Sequence, residues 1–121
     1  MAGKSSNSAG AIYLDKAGRI EQLRRAAARA QQRLPSIRRV VLFGSLASGI
    51  PTPRSDADLL VVLETSPHAS PRDRVPAVLK ALSPLPCPVD LFVLTSAELE
   101  RGQTEGSPLL RVALGSGVDL L

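Results

Sequence analysis

Residues 40–64 read VVLFGSLASGIPTPRSDADLLVVLE, and the fold follows from how that stretch is divided. An apolar run ends in Gly44-Ser45, a loop rich in Gly, Pro and Ser follows, and Asp56-Ala57-Asp58 opens a second apolar run. Successive side chains of a strand point to opposite faces. A strand starting near Asp56 therefore projects both carboxylates from one face, close together. Adjacent carboxylates repel unless a cation or shared protons neutralise them. Hard oxygen ligands beside a turn with free backbone N–H groups point to Mg²⁺ holding a polyphosphate.

Working outward, Ile37–Phe43 is rich in Val, Ile and Leu and reads as a buried strand. Ser45-Leu46-Ala47-Ser48 reads as a short helix start, which leaves free N–H groups at the strand's end. Residues 49–55 read as loop and Ala57–Leu63 as the second strand. A third strand is read at Val89–Leu94, where Asp90 is a lone acid in an apolar run. A carboxylate there is costly unless it is paired or well hydrogen-bonded.

Upstream, a helix is expected from about Asp15 to Leu34. Ile20, Leu23, Ala27, Ala30 and Leu34 form its apolar stripe, and Arg25, Arg29 and Arg33 lie roughly opposite. That arginine row reads either as a solvated face with helix-end electrostatics or as a docking surface for an anionic partner. Residues 1–11 read as a flexible tail and 12–121 as one domain.

Downstream, residues 68–74 read as polar loop. A helix is expected over about 72–82, with Val75, Val78, Leu79 and Leu82 inward and Pro76 in its first turn. Ser83–Pro88 reads as a linker, and Thr95 or Ser96 as the cap of another helix. A last short helix spans 107–114, ended by Gly115, and residues 117–121 read as an edge strand.

Composition narrows the possibilities. The chain has 121 residues, of which 44% are hydrophobic, within the globular range. Tyr13, Phe43 and Phe92 are its only aromatics, which disfavours single-strand nucleic-acid binding by stacking. The net charge of +4 is unevenly spread: residues 1–39 carry nine Lys/Arg against Asp15 and Glu21, and the remainder is net acidic. Cys87 is the only cysteine, so no internal disulfide is expected. The amino-terminal residues lack a signal-peptide core and no apolar run reaches membrane length, so a cytoplasmic setting without a membrane is expected.

Gly44-Ser45, ten intervening residues, Asp56-x-Asp58 and a further acid, Asp90, on the next strand resemble the minimal nucleotidyltransferases of the DNA polymerase beta superfamily. The resemblance spans about Ile20 to Leu121. It implies an α/β (α+β) fold, a small mixed sheet flanked by helices. It also implies Mg²⁺-dependent transfer of a nucleoside monophosphate, AMP from ATP, to a hydroxyl. Asp56, Asp58 and Asp90 would be catalytic and would hold two Mg²⁺ ions, and Gly44 and Ser45 would contact the β- and γ-phosphates. Arg54 is either a triphosphate contact or a loop charge. Minimal members of this kind are typically paired with a helical HEPN-type toxin and, as antitoxins, attach AMP to one of its tyrosines. A homo-oligomer is the other partner arrangement expected. The residues Leu46-Ala47-Ser48-Gly49 lack the basic side chain that small relatives often carry after Gly-Ser. That difference supports an alternative, an antitoxin or interaction module that acts by binding alone.

Overall fold

The computed structural model describes residues 8–44 and 57–121, with side chains from residue 16 onward. The expected short helix at 45–48 and the loop at 49–55 lie outside the described residues. Along the chain run α1 (Ser8–Arg33), β1 (Ile37–Phe43), β2 (Ala57–Leu63), α2 (Pro71–Leu82), β3 (Val89–Thr95), α3 (Ser96–Thr104), α4 (Pro108–Ser116) and β4 (Val118–Asp119). The strands form one sheet in the order β3-β2-β1-β4. β1 is antiparallel to β2 and to β4, while β2 and β3 are parallel. This is the mixed, helix-flanked α/β sheet the sequence implied.

Strand periodicity sorts the core into two layers. Ala57, Leu59, Val61 and Leu63 of β2 join Leu23, Ala26, Ala27 and Ala30 of α1 and Val78, Ala81 and Leu82 of α2. The alternate residues Leu60 and Val62 face the other way, onto Val41 and Phe43 of β1 and Leu110 and Ala113 of α4. In β1, Ile37, Val40 and Leu42 belong to the first layer, a spacing that skips a residue. A register irregularity between Ile37 and Arg39 accounts for it, since an extra residue returns the next side chain to the same face.

Several expectations need correction. α1 begins at Ser8, so residues 8–11, read as tail, are helical. Ala9 and Ala11 favour helix, and no proline interrupts the segment. α2 begins at Pro71, which takes the first helical turn, so Pro76 falls inside the helix with its ring exposed. The frame set by Pro71 also buries Arg74, read as loop, and leaves Leu79 39% exposed instead of inward. α4 runs through Gly115 and ends before Gly117. A Cβ at Gly117 would collide with the Ala113 carbonyl and the Val41 side chain, so the close approach of the chain to α4 and β1 fixes the stop there. Thr95 caps α3 as expected: its hydroxyl accepts from the Glu98 N–H, and the Glu98 carboxylate accepts from the Thr95 N–H.

The carboxyl end of α2 explains the arginine row. Its last carbonyls lack intrahelical donors. The Ser83 N–H serves Leu79 and Lys80, Arg33 donates to Ala81, and Arg29 donates to Leu82 and, beyond the helix, to Pro84. Guanidinium groups also suit the negative end of a helix. Arg29 and Arg33 thus act at the end of a neighbouring helix, a role that neither sequence reading gave them.

Candidate active site

The strand ends nearest residues 45–56 gather the residues singled out in the sequence. β1 delivers Gly44 one residue past its last strand position, with φ of 84°. That left-handed conformation suits glycine. Space demands glycine as well, because a Cβ at Gly44 would overlap the carboxylate of Asp58. Asp58 lies opposite Phe43 in the β1–β2 pairing, so the Gly44 backbone passes directly over that carboxylate.

Asp58 and Asp90 are register partners in the parallel β2–β3 pair. By strand alternation both lie on the face of Leu60 and Leu94, not the face packed on α1 and α2. Adjacent strands are about 4.8 Å apart, so register partners on one face present their carboxylates to a common space. Asp90 is exposed and Asp58 partly buried. Two acid groups this close suit a hard cation, which takes several oxygen ligands. The pinched Gly44 backbone beside them suits phosphate oxygens, which need close main-chain approach. Among the described residues, no three His, Cys, Asp or Glu side chains stand together as a metal site. The remaining acid of the motif, Asp56, lies outside the described residues, as do Ser45 and Arg54.

The two aromatic side chains of the same face border the acids. Phe43 and Phe92 have ring centroids 5.7 Å apart with planes tilted by 48°. They stand on strands that flank β2 on either side, so their rings lean together over it. Phe43 is buried, whereas Phe92 is 36% exposed. The far part of this face is closed by α3 and α4 through Leu99, Leu109, Leu110 and Ala113.

Sequence reasoning missed Arg74. It is 3% exposed and donates to the carbonyls of His68, Ala69 and Val93 and to both carboxylate oxygens of Glu98. The Arg74 hydrogen bond holds the Glu98 carboxyl down at about 2, against the opposing effect of burial and with help from the Thr95 N–H. The clamp ties the start of α2 to β3 and to the cap of α3. The only sequence signal for it was the capping glutamate, which in this fold serves two partners.

The nucleotidyltransferase domain family model matches residues 21–113. No curated protein matches the sequence. Among solved structures, a candidate nucleotidyltransferase from Sulfolobus solfataricus superposes with a TM-score of 0.60 at 23% identity, covering 74% of this chain and 78% of that one. A toxin–antitoxin structure with AMP-PNP gives 0.57 at 22% identity, covering 81% of this chain and 72% of that one. At those identities the two structures speak for the fold.

Proposed function

The chain belongs to the nucleotidyltransferase domain family, and on that premise we propose that it moves AMP from Mg²⁺-bound ATP to a hydroxyl of a partner protein. The observation that carries this reading is the pairing of Asp58 with Asp90 in register beneath a Gly44 backbone that admits no side chain. Gly44 and Ser45 bind the β- and γ-phosphates through backbone N–H groups and the Ser45 hydroxyl. Asp56, Asp58 and Asp90 would hold two Mg²⁺ ions through their carboxylates. When bound, the ions neutralise phosphate charge and lower the pKa of the attacking hydroxyl. Asp90 orients that hydroxyl and takes up its proton. The acceptor oxygen bonds to the α-phosphorus, the bond to the bridging oxygen breaks, and pyrophosphate leaves with the electron pair.

A partner of HEPN type, with a tyrosine as acceptor, is the reading we favour for the second substrate, in a cytoplasmic setting. Similarity to a toxin–antitoxin structure supports a protein partner. No described helix is long and apolar enough to cross a membrane. The test is calorimetric titration of ATP with and without Mg²⁺, beside Asp56→Asn, Asp58→Asn and Asp90→Asn. Binding that requires Mg²⁺ and weakens at least tenfold (about 1.4 kcal/mol) in Asp58→Asn is expected, with the fold retained. Full AMP transfer by Asp56→Asn or Asp58→Asn would sink the proposal.

The uncharged run Leu46-Ala47-Ser48-Gly49 favours a second reading, an antitoxin that neutralises its partner by binding alone. In that case the aspartate variants still neutralise the partner, and no nucleotide becomes attached to it.

A further inference from the structure

Phe92 stands on the same strand and face as Asp90, one two-residue step further along. That step is about 6.6–6.8 Å. Its cross-strand neighbour is Leu60, just as Asp90 has Asp58. One side of its ring is covered by Phe43, yet 36% of the residue stays open to solvent beside two carboxylates. On the same face Leu60, Val62 and Phe43 are buried and Leu94 is partly buried.

The direction of attack gives this exposed ring a place in the reaction. Phosphoryl displacement keeps the attacking and leaving oxygens roughly in line. If Gly44 on β1 holds the leaving pyrophosphate, the line from it through the α-phosphorus over Asp58 on β2 runs outward to β3. The acceptor must enter from that side, across Asp90 and Phe92. The nucleoside oxygen is not on this line, so the base has no such requirement to lie over β3.

We infer that Phe92 positions the acceptor, packing against the group that carries the attacking hydroxyl and favouring a hydroxyl borne on an aromatic ring. This rests on the proposed transfer reaction and assigns its acceptor side. With a phenol oxygen at Asp90, its ring falls over Phe92, and the two rings pair as Phe92 already pairs with Phe43. A serine or threonine hydroxyl lies one carbon from the polar main chain, which would be pressed onto Phe92 without hydrogen-bond partners.

The chain holds two phenylalanines, so ring-labelled phenylalanine gives NMR signals that one substitution assigns. The protein is titrated with N-acetyl-tyrosinamide and, separately, with N-acetyl-threoninamide, both free and loaded with Mg²⁺ and AMP-PNP. Phe92 ring signals are expected to move with the phenol and not with threoninamide. Phe92→Leu, which keeps an apolar contact for Phe43, should weaken the phenol about two- to tenfold, leave AMP-PNP affinity unchanged and raise the acceptor KM more than it lowers kcat. Phe92→Tyr should restore the phenol affinity. Phe92 signals that do not respond to the phenol would overturn the inference. So would a Phe92→Leu variant that loses AMP-PNP and keeps the phenol, since the ring would then serve the nucleobase. Nucleotide binding that ignores the aspartates, with a normal Phe92 titration in the free protein, would count against the transfer reaction alone.

Discussion

Gly44 answers to two constraints, and they predict different losses. Its φ of 84° is strained for any side chain, and the space a Cβ needs is taken by the Asp58 carboxylate. Gly44→Ala should therefore cost about 1–3 kcal/mol of stability and also move Asp58. Urea unfolding reads the first effect and Mg²⁺-dependent ATP calorimetry the second. An alanine variant with normal nucleotide binding would show that the close approach is not used. Glu98 offers a residue-scale test by pH. Its folded pKa of about 2, against an ordinary 4.5, means that the unfolded chain takes up the proton first on acidification. The stabilisation is fully present above about 4.5 and is lost as pH falls from there toward 2. Glu98→Gln should cost about 1–3 kcal/mol at pH 7 and flatten that acid slope, read by urea unfolding at a series of pH values.

At the level of elements, the arginines of α1 behave as caps for α2. Arg29 reaches the Leu82 and Pro84 carbonyls from a partly buried position. Arg29→Ala leaves the Leu82 carbonyl without its donor and should cost about 1–3 kcal/mol, measurable as a lowered urea midpoint with unchanged slope. Arg25→Ala, whose only partner is exposed Glu21 at 3.5 Å, should change stability by less than about 0.5 kcal/mol. The contrast explains what a sequence can and cannot reveal. The strands were legible because Ile37–Phe43, Ala57–Leu63 and Val89–Thr95 are branched apolar runs bounded by turn residues. The Thr95 cap was legible because its glutamate follows at a fixed spacing. Arg29 was not, because its acceptors are backbone carbonyls, and every residue type carries one; Arg74 was not, because three of its acceptors are carbonyls and its one acid, Glu98, was already accounted for by the cap. The frame of α2 was misread for a related reason. Two prolines, Pro71 and Pro76, competed for the first turn, and the contact of α2 with α1 decided between them. For the candidate site, alternation in the sequence could pair only Asp56 with Asp58, and the β2–β3 register brought Asp58 and Asp90 to one face. Only the fold could show that Phe92 remains half open beside them.

Across the whole molecule the same contacts bear on its partners. Residues 1–39 concentrate positive charge, which by itself would draw phosphate backbones. Yet each arginine from 19 to 39 holds an internal acceptor. Arg19 donates to Pro86, Arg24 to Asp119, and Arg29 and Arg33 to the end of α2, while Arg25, Arg38 and Arg39 pair with Glu21, Glu64 and Asp119. These contacts spread over α1, β1 and β4, so the guanidinium groups are arranged around the protein's own carbonyls and carboxylates, not along one stripe. Binding to a nucleic-acid backbone would have to compete with them, at about 1–3 kcal/mol for a carbonyl left without its donor and about 0–1 kcal/mol for each exposed ion pair. Counterion release rewards only the phosphates that are neutralised together. Titrating a labelled RNA or DNA duplex at two salt concentrations should therefore show weak binding with a shallow salt dependence. A steep slope, lost in Arg25→Ala or Arg38→Ala but not in Asp58→Asn, would mean that the basic segment is a nucleic-acid surface separate from the carboxylate face. A binding change confined to Asp58→Asn would instead place the nucleic acid itself at the acceptor side of that face.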